Sequence, residues 1–184
     1  MPTSPHASAF RKVVFYGDSI TTGWRGTTSP RARWTSLVSD ELGWGEINLA
    51  IDGMAFVRRR GPRPSLDQFP SDTGEDTALL DGNEDRVRAG IDRDFRMLHD
   101  ALPGRPVVIA PYFAWSQLPP KTGQIVAWER AAAEEHGHLF TDALLTPIEA
   151  DPEMLCDDGI HPNDKGHRAL ADSILPTLRA LQLD

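Results

Sequence analysis

Cysteine is almost absent from this sequence of 184 residues, which contains one, Cys156. A single cysteine excludes an internal disulfide framework and any zinc module built on several cysteines. Long apolar runs are also absent, since no stretch approaches the roughly 20 residues of a membrane-spanning helix. The first ten residues lack the basic and apolar regions of a signal peptide. We therefore expect a cytoplasmic protein without a membrane span.

Basic charge is scarce as well, with 19 Lys and Arg against 27 Asp and Glu, a net charge of −8. Phosphate binding needs a basic surface, so we expect no nucleic-acid partner. One basic run stands out, formed by Arg58, Arg59, Arg60 and Arg63. We interpret this run as a solvated loop; the alternative is a pocket mouth that attracts anionic substrates.

What is present is the composition of a globular protein, 40% hydrophobic and 25% charged residues. The length fits one domain. We predict a loose, Pro- and Ser-containing tail over residues 1–10 and a single domain over residues 11–184.

Short apolar segments alternate with helical patterns along the chain. Strands are predicted at residues 12–16, 47–50, 77–80, 106–110 and 138–140. The strongest helical pattern follows Asn83, and Pro176 should kink or shorten the last helix. The alternation predicts an α/β fold in which helices cover both faces of a five-stranded parallel sheet.

Residues with useful chemistry follow the predicted strands. Ser19 follows the first strand, Gly53 the second and Asn83 the third, while Asp158 and His161 precede the last helix. The carboxyl ends of parallel strands share one edge of a sheet, so these residues should meet in one crevice.

Acyl transfer needs this set of groups. Ser19 becomes a nucleophile when a base accepts its proton, and His161 is such a base near neutral pH. Asp158 is spaced to orient the imidazole and to stabilise its charged form. The backbone amides of Ser19 and Gly53 and the side-chain amide of Asn83 are candidate oxyanion donors.

These segments resemble the conserved blocks of the SGNH (GDSL-type) hydrolase family. Gly17-Asp18-Ser19-Ile20 is similar to the nucleophile block, Gly53 lies in a segment similar to the second block, and Asp158-Gly159-Ile160-His161-Pro162 resembles the last block. The resemblance spans about residues 12–175. It implies a three-layer α/β/α flavodoxin-like fold and Ser-His-Asp hydrolysis of esters or thioesters without a metal.

The third block departs from the family pattern. It reads Asp81-Gly82-Asn83-Glu84, which keeps Asn83 but has Asp81 where the family has glycine. Our hypothesis is that Asp81 places a carboxylate near the pocket, where it disfavours acidic substrates or perturbs His161.

Each candidate also has a purely structural interpretation. Ser19 and Asn83 are residue types that cap helices, and Gly53 is a turn residue.

His136-Gly137-His138 has the spacing of a metal pair, but no third ligand is apparent nearby, so we expect no metal. No dinucleotide motif follows the first strand, so we expect no cofactor. We expect Cys156 to be a small buried apolar residue and His167 to lie on the surface of the last helix.

Five apolar side chains in the strand-end loops are candidates for substrate binding; the alternative for each is a place in the core. They are Trp24, Met54, Phe56, Phe113 and Trp115. We predict a serine esterase acting on a small-molecule ester or thioester. An acyltransferase with a non-water acceptor and a catalytically silent ligand-binding domain are the alternatives.

Overall fold

Four short strands form two parallel pairs in the computed structural model, which describes residues 11–56, 82–114, 118–149 and 151–181. Strand β1 (Lys12–Phe15) pairs with β2 (Gly45–Asn48), and β3 (Val108–Ile109) pairs with β4 (Leu139–Phe140). A helix crosses between the strands of each pair, as parallel pairing requires.

These strands lie within or beside four of the five predicted segments, and the predicted strand at residues 77–80 lies outside the described residues. Strand β2 ends earlier than predicted, at Asn48. The Asn48 side chain donates to the Thr21 carbonyl at 2.8 Å and accepts from the Ala50 amide at 3.1 Å. The five-stranded sheet therefore remains a prediction.

The helices agree more closely with the sequence pattern. They are α1 (Ser19–Thr22), α2 (Trp34–Leu42), α3 (Glu84–Ala101), α4 (Pro120–Glu135) and α5 (Asp164–Ala180), with a 3-10 turn at Pro30–Ala32. Helix α4 begins at a proline, a residue that suits the first turn because its missing N–H would have no helical partner there. Helix α5 continues past Pro176 to Ala180, so this proline does not shorten it.

Two apolar clusters hold the elements together. In the first, α2 and α5 pack with β1 through residues that include Phe15, Trp34, Val38 and Ile174. In the second, α3 and α4 pack through Val87, Ile91, Phe95 and Ile125. The first cluster fixes the start of α5 relative to the end of β1, where the candidate catalytic residues lie.

None of the described helices combines the length and the apolar character needed to cross a bilayer.

Candidate active site

The nucleophile candidate stands at the start of α1, directly after β1. Asp18 caps this helix, because its Oδ1 accepts a hydrogen bond from the Ile20 amide at 2.8 Å. The interpretation of Ser19 as the helix cap is therefore wrong. Gly17 lets the turn pack tightly, since a Cβ there would lie 2.4 Å from the Thr21 hydroxyl.

Ser19, His161 and Asp158 form a continuous hydrogen-bonded line. The Nε2 atom of His161 lies 2.9 Å from the Ser19 Oγ, and its Nδ1 lies 2.8 Å from the Asp158 Oδ2. A proton on Nδ1, donated to the carboxylate, leaves Nε2 as the acceptor that faces the serine. The structure thus brings Ser19 together with Asp158 and His161, which follow it by more than 130 positions in the sequence.

Asp158 is held in its charged form by its own loop. Burial by itself raises the pKa of this carboxyl, but hydrogen bonds from the backbone amides of His161 and Ile160 and from the His161 ring lower it to about 2. Both amides donate to Oδ1 at 3.0 Å, which leaves Oδ2 for the imidazole. The carboxylate is therefore ionised at any pH where histidine chemistry operates.

Trp24 and Arg25 flank this line on the solvent side. The Trp24 ring meets the His161 ring edge-on, with centroids 5.0 Å apart, and is 45% exposed. The Arg25 guanidinium carbon lies 5.2 Å from the Trp24 ring centroid, and its Nη1 lies 3.9 Å from the Asp158 Oδ2. Arg25 has a φ of 59°, which is uncommon for a residue other than glycine.

The segment that follows Arg25 packs against the segment that carries His161. A Cβ added to Gly26 would lie 1.8 Å from the Pro162 carbonyl oxygen, so this contact admits only glycine. Two residues later, Thr28 donates from its backbone amide and its hydroxyl to the Asp164 carboxylate, at 3.0 and 2.6 Å. Sequence reasoning missed Arg25, Gly26 and Thr28, because no local pattern indicates contacts across more than 130 residues.

Two of the three oxyanion candidates reside in ordered turns. Gly53 has a φ of 67°, a left-handed conformation that glycine adopts without strain. Asn83 precedes α3 but makes no capping hydrogen bond with its side chain, and its Oδ1 accepts from Arg86 Nη1 at 2.9 Å. Helix capping therefore does not account for Asn83. Asp81 lies outside the described residues.

The candidate pocket residues separate into three groups. Trp24 lies beside His161, and Phe113 is half-buried in the loop after β3. Met54 and Phe56 are 2% and 1% exposed, and Phe56 packs against Phe95 in the second core cluster, so we assign Phe56 to the core. Trp115 and the arginine run at residues 58–63 lie outside the described residues.

Two further side chains near the site differ from expectation. His167 is 1% exposed rather than on the surface, and the Trp34 amide donates to its Nδ1 at 3.3 Å. Burial lowers the pKa of His167 to about 4. Cys156 is half-buried, with its Sγ 3.8 Å from the Arg25 carbonyl, and burial followed by the Asp158 and Asp157 charges raises the pKa of its thiol.

The chain shares sequence features with known lipases. A profile of the GDSL-like lipase/acylhydrolase family matches residues 15–169. A GDSL lipase of Mycobacterium tuberculosis is 36% identical over 187 aligned residues, which cover 90% of this chain and 80% of the lipase.

Solved structures share its fold. A protein from Lactobacillus plantarum superimposes with a TM-score of 0.73 at 17% identity, covering 95% of this chain and 99% of that one. A salicylyl-acyltransferase from a tetracycline biosynthetic pathway superimposes with a TM-score of 0.71 at 23% identity, covering 96% of this chain and 56% of that one. The predicted family is confirmed: this chain is an α/β enzyme that belongs to the GDSL-like lipase/acylhydrolase family of ester hydrolases.

Proposed function

We propose that the chain is a serine esterase that forms an acyl-enzyme on Ser19. The observation that carries this proposal is the hydrogen-bonded line from the Ser19 Oγ through His161 to Asp158. Each bond in it is short enough for direct proton transfer or for orientation of the base. The substrate is a small-molecule carboxylic ester or thioester.

In the first half-reaction, Ser19 Oγ attacks the ester carbonyl while its proton moves to Nε2 of His161. The amides of Ser19 and Gly53 and the side-chain amide of Asn83 donate to the oxyanion that forms. Collapse expels the alcohol or thiol, which takes the proton from Nε2. Water then attacks the acyl-enzyme with the same base, releasing the acid and restoring Ser19. Asp158 stabilises the imidazolium in both halves.

An acyltransferase is the second candidate, because the same acyl-enzyme can be resolved by an alcohol or amine. The fold similarity to the salicylyl-acyltransferase supports this alternative.

We further propose that residues 11–184 form one domain, in which residues 77–80 complete a five-stranded parallel sheet. The cytoplasmic location stays a prediction from sequence.

The test is a panel of 4-nitrophenyl esters from acetate to laurate, with acetylated sugars, assayed with and without an added alcohol acceptor. We expect a burst of nitrophenol, abolished in Ser19→Ala, and a chain-length preference that reports the pocket depth. Faster acyl-enzyme breakdown with the alcohol, with ester as product, would favour the transferase. A folded protein that shows no burst and no labelling of Ser19 by a serine-reactive phosphonate would favour a silent binding domain.

A further inference from the structure

A second cluster of chemically active side chains lies at the amino end of β4, where α4 finishes. Donor atoms of Asp92, Glu135 and His136 all lie within 4.8 Å of one another. Asp92 is in α3, Glu135 is the last residue of α4 and His136 is the residue that follows it. Ser19 and Gly53 follow strands instead, so this cluster belongs to a different part of the fold from the candidate active site.

We propose that Asp92, Glu135 and His136 bind a divalent transition-metal ion, for which Zn²⁺ is the best match. The set offers one imidazole nitrogen and two carboxylate oxygens; zinc binds both kinds of donor, and its open sites have three protein ligands with water as the fourth. An imidazole donor disfavours Mg²⁺ and Ca²⁺, which prefer oxygen ligands. The three groups come from two helices, so a bound ion would join the end of α4 to α3.

The distances need little adjustment. The His136 Nε2 lies 2.8 Å from the Asp92 Oδ1. Ligand atoms of a tetrahedral zinc ion are roughly 3.3 Å apart, given metal–ligand distances near 2 Å. The two atoms would therefore need to move apart by a few tenths of an ångström for the ion to replace the proton that they share.

Neighbouring groups orient two of the three ligands, although the Arg96 charge offsets part of the negative charge of Asp92. Arg96 binds the Oδ2 of Asp92, which holds the carboxylate while Oδ1 faces His136. The His99 Nδ1 donates to the His136 carbonyl at 2.9 Å, which fixes the backbone of that ligand. Such outer contacts orient metal ligands. The carboxyl end of α4, a helix of 16 residues, adds partial negative charge beside the site.

The structure also separates the two histidines that the sequence suggested as a pair. The Nε2 of His138 lies 2.9 Å from the Phe95 carbonyl oxygen and must donate its proton there. The His136 and His138 ring centroids are 6.4 Å apart. Sequence reasoning missed both carboxylates of this set: Glu135 adjoins His136, and Asp92 lies 44 residues before it. His138 is thus a matched control for His136.

The test is isothermal titration of the full chain, without an affinity tag and after treatment with a chelator, with ZnCl₂. We expect one ion per chain and an affinity at least about tenfold lower in His136→Asn and in Asp92→Asn. His138→Asn should bind zinc as the parent does. Circular dichroism of the metal-free variants checks that they fold, and Glu135→Gln, at an exposed position, is the replacement variant if the others do not.

Two results would overturn the proposal. One is the absence of saturable one-to-one binding in the parent protein. The other is an equal loss of affinity in His136→Asn and His138→Asn, which would indicate nonspecific chelation by surface histidines. Neither result depends on ester hydrolysis, so the zinc site and the proposed esterase function are tested separately.

Discussion

The Thr22 hydroxyl donates a hydrogen bond to the Asp52 Oδ1 across 2.6 Å, although 30 residues separate the two in the chain. Thr22 ends the helix that Ser19 begins, and Asp52 precedes Gly53. A second bond, from the Ile51 amide to the Gly17 carbonyl at 2.9 Å, joins the same two loops. These two bonds therefore fix the position of Ser19, the candidate nucleophile, relative to Gly53, the candidate oxyanion donor.

We predict that Asp52→Ala lowers kcat about tenfold or more and leaves KM nearly unchanged. The reason is that a loosened Gly53 amide stabilises the oxyanion less, and complete loss of such a donor costs about 10²–10³ in rate. Steady-state hydrolysis of 4-nitrophenyl acetate measures both constants. Asp52→Asn is the matched control, because its amide oxygen still accepts from Thr22 and should retain most activity. Equal kcat values for the parent and Asp52→Ala would contradict this role.

Asp158→Asn should lower kcat by about 10³–10⁴, because an amide in place of the carboxylate favours the wrong imidazole tautomer. The pKa of Asp158 is about 2, so the parent carboxylate remains charged throughout any practical assay range. The control is Asp157→Asn, which removes the same charge at the exposed neighbouring position. If both variants lose activity to the same extent, the effect is electrostatic rather than a matter of orientation.

Gly26→Ala should destabilise the protein by about 1–3 kcal/mol and reduce its esterase activity. The added Cβ would meet the Pro162 carbonyl oxygen at 1.8 Å, so the segment that carries His161 must move. Chemical denaturation and ester hydrolysis measure the two effects. Gly123→Ala is the control, because Gly123 lies in α4 and its added Cβ would have only one neighbour, Leu118, at 4.0 Å. This substitution should stabilise the helix slightly. A Gly26→Ala protein as stable as the parent would contradict this packing argument.

Buried His167 should make the free energy of unfolding depend on pH. Burial, together with the Arg33 and His161 charges, lowers its pKa from 6.5 to about 4, while Asp164 opposes the shift. The unfolded chain therefore binds this proton at a higher pH than the folded protein does. The contribution of neutral His167 to the free energy of unfolding is fully present above pH 6.5 and is lost as the pH falls towards about 4. The loss is on the order of 3 kcal/mol.

Urea denaturation at several pH values checks this dependence. His167→Asn, whose side-chain oxygen can still accept from the Trp34 amide, should have a flatter profile over that interval. A parent protein whose stability does not change between pH 6.5 and 4 would show that His167 titrates normally.

The helices and helix ends that depend on local sequence patterns could be predicted from the sequence. Helix α3 follows from apolar residues at helical spacing such as Val87 and Ile91, and the end of α2 follows from Gly43. The proximity of Ser19 to Asp158 and His161 could be predicted from the order of strands and helices together with the resemblance to the family. The burial of His167 and the Thr22–Asp52 bond depend on which helices and loops face each other, and periodicity does not encode that choice.

The Ser19–His161 bond joins residues 142 positions apart, between the first helix and the segment that precedes the last one. No fragment of this sequence that ends before residue 161 contains both the candidate nucleophile and the candidate base. A nascent chain therefore cannot form the proposed catalytic line until His161 has been synthesised and packed. Under the proposed function, ester turnover thus reports the packing of α1 against the segment that precedes α5 as well as the chemistry.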